Sequence, residues 1–163
     1  MIAINKIISG GQTGADRAAL DFAIAHGIQH GGWCPKGRKA EDGEISLRYR
    51  LSEMATGAYL KRTKQNVADS DITLILNLGE LDGGTLKTWE FAQQANKPCR
   101  IVQLDEEDID NQIEQLCDWL RATDVGIWNI AGPRESKRPG IYRQSYDFLA
   151  HLLEQIGIFN LPD

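Results

Sequence analysis

Five short apolar runs, separated by helix-length segments, set the limits on what this chain can fold into. The runs occupy residues 2–9, 28–33, 72–78, 101–104 and 125–130. The third, ITLILNL, is apolar almost throughout and rich in branched residues, as a strand buried on both faces must be. Between the runs the period changes. Ala15, Ala18, Ala19, Phe22 and Ala23 recur at helical spacing over 13–26, and Gly27 is a stop signal. Residues 85–96 are helical and end before Pro98. Thr63 would cap a short helix through Asn66 and Ala68. Asp105 and Asp108 open an amphipathic helix with Ile109, Ile113, Leu116, Cys117 and Leu120 on one face. Pro139 fits the first turn of a last helix that carries Ile141, Ser145, Phe148, Leu149, Leu152 and Ile156. Residues 44–59 carry no clear period. The alternation predicts an α/β protein: a mostly parallel sheet of five strands or more, with helices on both faces, forming three layers. No linker or repeat divides it, so residues 1–163 read as a single domain.

Composition excludes several functions. No apolar run approaches the roughly 18 residues of a membrane span. The start, MIAINKIISGG, lacks the long apolar stretch of a signal peptide, so a cytoplasmic location is expected. Cys34, Cys99 and Cys117 are widely spaced and share no ligand pattern with His26, His30 and His151. Neither a disulfide framework nor a protein-built metal site follows. The net charge of −5 argues against a nucleic-acid surface. It is concentrated, however: residues 105–118 hold seven acids and no base, leaving 18 basic against 16 acidic residues elsewhere. Lys36, Arg38, Lys39, Lys61, Arg62, Lys64, Arg134, Lys137 and Arg138 all fall in expected loops. Basic loops beside an acidic solvated helix suit a small anionic ligand.

In open parallel sheets ligands bind beyond the carboxyl ends of the strands. Four loops emerge there, at 10–16, 34–43, 77–85 and 131–139, and right-handed crossovers place them on one edge. The first, SGGQTGAD, brings Gly10, Gly11, Gln12, Thr13 and Gly14 to a strand-to-helix turn. Exposed main-chain amides and a helix N-terminus there favour phosphate or another oxyanion. A P-loop would end in Gly-Lys-Ser/Thr, whereas Gly14 precedes Ala15 and Asp16. The dinucleotide fingerprint lacks one glycine and its ribose-binding acid, which argues against a nicotinamide dinucleotide. Asp16 serves either the helix dipole or a ligand hydroxyl or amine. A second glycine turn, LDGGTLKTWE, offers Gly83 and Gly84, then Thr85 as a helix cap, with Lys87 and Thr88 in reach of a ligand. Cys34 lies in a basic loop, which would lower its pKa, but the favoured reading is a buried inert thiol. Trp33, Trp89 and Trp128 are assigned to the core, with stacking on a flat ring as the alternative.

Five motifs, GGQTGADRAALD, GWCPKGRKAEDG, RTKQNVADSDITLIL, LDGGTLKTWEFA and NIAGPRESKRPGIY, resemble in the same order the molybdenum cofactor carrier family. The resemblance covers nearly the whole chain. It implies a Rossmann-like fold related to the lysine-decarboxylase-like phosphoribohydrolases. It also implies a homo-oligomer, a tetramer rather than a dimer, that binds the molybdenum cofactor, a phosphorylated pterin whose dithiolene holds molybdenum. Such a carrier shields the cofactor and hands it to apo-molybdoenzymes such as nitrate reductase. Gly10, Gly11, Gln12, Thr13 and Gly14 resemble the anion loop, where molybdate or phosphate would also sit. Lys36, Gly37 and Arg38 lie in the second motif, and Gly83, Gly84, Thr85 and Thr88 in the second glycine turn. No catalytic residue is implied, and the cofactor brings its own sulfur ligands.

Two alternatives remain. The phosphoribohydrolase turn, proline-Gly-Gly-x-Gly-Thr-x-x-Glu, is half present: Gly83, Gly84 and Glu90 match, while Asp82, Leu86 and Lys87 do not. A nucleoside-monophosphate hydrolase would use Glu90. A nucleotide sensor would use the same loops and change its oligomeric state.

Overall fold

The computed structural model describes residues 1–123 and 126–159. In chain order the elements are β1 (Lys6–Ile8), α1 (Ala15–Ala25), β2 (Gln29–Gly31), β3 (Trp33–Cys34), β4 (Lys39–Ala40), β5 (Gly43–Glu44), β6 (Ser52–Glu53), α2 (Tyr59–Asp69), β7 (Ile72–Asn77), α3 (Gly83–Gln94), β8 (Cys99–Gln103), α4 (Ile109–Thr123), β9 (Ile127–Ala131) and α5 (Ile141–Phe159). Five strands form one all-parallel sheet in the order β2-β1-β9-β7-β8. The last strand therefore enters between β1 and β7. Counted cyclically from β9, the order becomes 3-2-1-4-5, the doubly wound arrangement begun one strand late.

The three layers follow from strand alternation. Ile72, Leu74, Leu76, Val102, Trp128 and Ile130 point to one face and pack with α1, α4 and α5. The helices α2 and α3 pack against each other on the other face. That second face is partly polar: Thr73 and Asn129 are buried there, joined by a hydrogen bond of 3.2 Å from Asn129 Nδ2 to Thr73 Oγ1. A buried sheet face with amide and hydroxyl groups is costly unless it borders a polar space.

The α/β expectation is met, with local corrections. The strand expected over 2–9 pairs only at Lys6–Ile8, opposite the three residues of β2 and the start of β9. The second run splits. Gly32, at φ +122°, lies so close to Ser9 that a β-carbon would meet its carbonyl oxygen at 2.2 Å. There the chain leaves the sheet, and β3 pairs with β6 instead. His30 lies in β2, within the expected run. The unassigned segment 44–59 supplies the end of β5, all of β6 and the first residue of α2. The helix expected to be capped by Thr63 starts earlier, at Tyr59, and the Thr63 hydroxyl donates to the Tyr59 carbonyl inside it. Lys61, Arg62 and Lys64 are therefore helical. Asp82, not Thr85, precedes α3 as its cap residue. Pro139 lies two residues ahead of α5, whose first amides are held by Glu135: Gly140 N–H donates to Oε1 at 2.6 Å and Tyr142 N–H to Oε2 at 2.9 Å. Trp128 is buried and Trp33 half-buried, but Trp89 is exposed on the outer side of α3. Val125 lies outside the described residues.

Candidate functional site

The loops that follow β1, β7 and β9 meet at the carboxyl edge of the sheet, around a cavity of about 520 Å³. It lies where the strand order reverses, between β9 and its neighbours, and opens on the α2–α3 side. Its size falls within the ordinary range of small-molecule sites.

Gly10 and Gln12 border the cavity, as do Gly84, Thr85 and Thr88. Gly11, Thr13 and Gly14 stand behind its wall. Gly11 and Gly14 adopt φ of +78° and +80°. A β-carbon on Gly14 would fall 2.3 Å from the Pro133 carbonyl oxygen, so this turn admits only glycine. The loop closes on its own side chains. Gln12 N–H donates to Asp16 Oδ2 at 3.3 Å, Gly11 N–H to Ser9 Oγ at 3.3 Å, and Thr13 N–H to Gln12 Oε1 at 3.0 Å. The Gln12 and Gly10 amides thus face an internal carboxylate, that of Asp16, while the Gly11 and Thr13 amides are taken by Ser9 and Gln12.

Asp16 is buried on the cavity wall beside Arg62, whose Nη1 lies 3.5 Å from Oδ2. Burial pushes its carboxyl up to about 6, against the opposing pull of Arg62 and the Gln12 amide. Arg62 comes from α2, and Asn66 stands one turn further on, exchanging hydrogen bonds with the Trp33 backbone at 2.8 and 3.0 Å. Asn66 was not expected in the site, and Arg62 only as one of several loop cations. The signal available was their spacing of four, which aligns two polar side chains on one helical face.

The second glycine turn becomes the N-terminus of α3. Leu86 N–H is bonded to the Asp82 carbonyl, so the amides before it have no partner within the helix. Gly84 has open space where a side chain would project. The Thr88 hydroxyl donates to the Gly84 carbonyl at 3.0 Å. Lys137 reaches this end from the β9–α5 loop, placing Nζ 2.7 Å from Asp82 Oδ1. Lys137 and then Arg138 hold the Asp82 carboxyl below its ordinary range.

That loop is fixed by close approach. A β-carbon on Gly132 would meet the Leu76 carbonyl oxygen at 2.2 Å, and the Pro133 carbonyl accepts Ala15 N–H at 3.3 Å. Arg134 and Ser136 then face the cavity, where Glu41 meets them from the β4–β5 hairpin. Burial would raise the Glu41 carboxyl, but the Ser136 and Thr13 hydroxyls, the Ser136 amide and Arg134 bring it below the usual carboxylate range.

Lys36, Gly37 and Arg38 do not reach the cavity wall. Lys36 is exposed, and Gly37 N–H donates to Glu53 Oε1 at 2.8 Å. Arg38 turns inward at φ +55° and donates to the carbonyls of Ile45, Ser46, Tyr49 and Leu51 at 2.8 to 3.3 Å. Cys34 is buried and its thiol is pushed up by burial, in keeping with an inert role. Glu90 pairs with Lys87 at 2.9 Å and lies outside the cavity lining.

This fold is shared with a known protein family. Residues 7–153 match the family described as circularly permutated YpsA SLOG. The chain belongs to that family. The permutation in its description agrees with a doubly wound sheet begun one strand late. A SLOG-fold relative from Syntrophus aciditrophicus SB, named "Putative molybdenum carrier protein", superposes with a TM-score of 0.90 at 52% identity, covering 93% of this chain and 96% of that chain. The five motifs therefore lead to the family that they resemble. A second structure, that of (E)-4-hydroxy-3-methyl-but-2-enyl diphosphate reductase, shares 13% identity at a TM-score of 0.40, over 91% of this chain and 59% of that one, and bears no argument. No curated protein matches the chain. Among the described residues of this SLOG-family chain, no helix is long and apolar enough to cross a membrane.

Proposed function

We propose that the protein binds the molybdenum cofactor in this cavity, shields it and releases it to apo-molybdoenzymes. The observation that carries the reading is a cavity with cations on two walls, Arg62 on one and Arg134 with Lys137 on the other, beside the open first turn of α3. Lys137 and the α3 amides would take the cofactor's phosphate. Asn129 and Gln12 offer hydrogen bonds to a pterin edge. None of the three cysteines lines the cavity, and the cofactor's dithiolene supplies the metal's sulfur ligands. The name of the relative at 52% identity supports the same cargo. Exposed Leu47, Leu60 and Trp89 give apolar surface that a homo-oligomer, in our reading a tetramer, would cover.

The test is retention and transfer. Purified protein incubated with the cofactor is passed through a desalting column, and molybdenum is measured before and after addition of apo-nitrate reductase. Retention no better than that of an unrelated protein sinks the carrier reading.

One observation favours a second reading, the cleavage of a nucleoside monophosphate. Asp16 is a buried carboxyl on the cavity wall, held near 6, and so suited to proton transfer near neutral pH. Release of ribose 5-phosphate from AMP, lost in Asp16→Asn, would support it. No release by the unaltered protein, or an undiminished rate in the variant, would dismiss it.

A further inference from the structure

The carboxylate of Glu41 sits in a cradle of converging donors. Its Oε1 accepts the Thr13 hydroxyl and the Ser136 N–H, the latter at 3.1 Å. Its Oε2 accepts the Ser136 hydroxyl at 2.5 Å and lies 3.3 Å from Arg134 Nε. Two hydroxyls, one main-chain amide and one guanidinium thus converge on two oxygens. That donor set is the kind that binds phosphate or another tetrahedral oxyanion. Two elements supply it, the first glycine loop through Thr13 and the β9–α5 loop through Arg134 and Ser136, and the hairpin tip brings the carboxylate that fills it. Glu41, Arg134 and Ser136 all line the cavity.

We propose that Glu41 is an internal occupant of a second oxyanion subsite, separate from the α3 N-terminus, and is displaced when an anionic group enters it. The hairpin is built for such a movement. Its ladder comprises only two residue pairs, Lys39 with Glu44 and Ala40 with Gly43. A ribbon that short is held by its surroundings rather than by itself. Its base is fixed: Ile45 N–H donates to the Arg38 carbonyl at 2.8 Å, and the buried Arg38 side chain gathers four carbonyls behind it. Its tip is held by Glu41, by Glu41 N–H donating to Gln12 Oε1 at 2.9 Å, and by the Arg17–Asp42 ion pair at 3.0 Å. That pair is bidentate, at 3.0 and 3.2 Å, but its Asp42 end is half-exposed and screened by water. Losing Glu41 from the cradle releases the tip while the base stays in place. A tether with no part in binding would have no need to fill a corner of the ligand cavity.

The inference rests on the reading of this cavity as an anion site, and it makes a different demand. An internal competitor lowers the affinity for any external anion. A tip closed about nine-tenths of the time weakens binding about tenfold. The experiment titrates inorganic phosphate by calorimetry into the unaltered full-length protein, Glu41→Ala, Glu41→Gln and the double variant Glu41→Ala with Arg134→Ala. Glu41→Ala should bind phosphate about tenfold tighter, Glu41→Gln should gain less, and the double variant should lose the gain. Hydrogen exchange at residues 39–44 of the unaltered protein should quicken on saturation with phosphate. Unchanged or weaker binding in both Glu41 variants overturns the proposal, as does exchange at 39–44 that is unaltered or slowed. The readout separates the two readings. A gain in phosphate affinity without cofactor retention keeps the subsite and sinks the carrier. Cofactor retention without the gain does the reverse. Absence of phosphate binding by every form at millimolar concentration overturns the subsite.

Discussion

The Arg62 guanidinium lies against Gly10 so closely that a β-carbon on Gly10 would fall 1.7 Å from Nη1. Gly10 is therefore a site residue because of a side chain from another helix. Its φ is not in the left-handed region, so the requirement is space alone. Gly10→Ala should push Arg62 off Asp16 and leave a buried carboxylate without its cation. Urea unfolding is expected to show a loss of about 1–3 kcal/mol, together with weaker cofactor retention. A variant as stable as the parent would mean that Arg62 moves aside freely and does not fix the cavity wall.

Asp16 gives the protein a pH signature. Its carboxyl is raised from 3.8 to about 6 in the folded state. The folded chain thus holds the proton more tightly than the unfolded one. This contribution to stability is complete below pH 3.8 and is lost as the pH rises to about 6. Between pH 7 and pH 5 it should add about 1 kcal/mol. Thermal unfolding should shift upward by a few degrees over that range, and Asp16→Asn should remove the slope. The lowered carboxyls of Glu41, Asp42 and Asp82 act at lower pH, below their ordinary range, and in the opposite sense. A Tm that falls on going from pH 7 to pH 5 would contradict the assignment.

What the sequence hid follows from the same cavity. The alternation of strands and helices was legible because β7 and the faces of α1, α4 and α5 bury continuous apolar side chains. The Gly83–Gly84 turn was legible because glycines mark a helix start near a strand end. The helix α2 was not. It buries Val67 but also Arg62 and Asn66, because its inner face borders a polar space. A helix that lines a polar space carries few apolar residues to mark it, so its start at Tyr59 is not legible, and Arg62 reads as a loop cation. Nor does Ala58, its cap residue, carry a capping side chain. The two-residue strands β3 to β6 are too short for any period to register. Arg38 shows the converse. Its place in a basic loop suggested a ligand contact, yet its guanidinium is spent on main-chain carbonyls.

Arg38 should accordingly matter for the fold first. Four carbonyls accept from it in a buried setting, and two of them share Nη2. Arg38→Lys supplies one compact ammonium where the loop needs a planar fork. Two or more buried carbonyls would lose their donor, for about 3 kcal/mol in total. Chemical denaturation checks the figure. Proteolysis should also become faster at residues 35–53, the segment that Arg38 gathers. A change of less than about 0.5 kcal/mol would show that water can replace the guanidinium.

Lys137 should behave in the opposite way. Its ammonium lies near the open end of α3, and a β-carbon on Gly83 would approach Nζ to 2.6 Å. Its protein partner, Asp82, is half-exposed, so their ion pair contributes little to folding. Lys137→Ala should leave the unfolding midpoint unchanged. A ligand phosphate at the α3 N-terminus would lose one charge-assisted hydrogen bond, about 1.5–3 kcal/mol or at least tenfold in affinity. The loss should shrink as salt is added, because the interaction lies at a cavity mouth open to solvent. Glu90→Ala is the matched control: it removes a carboxylate from the same helix but outside the cavity, and retention should not change. Equal affinity in Lys137→Ala and the parent would move the phosphate away from this end of the cavity.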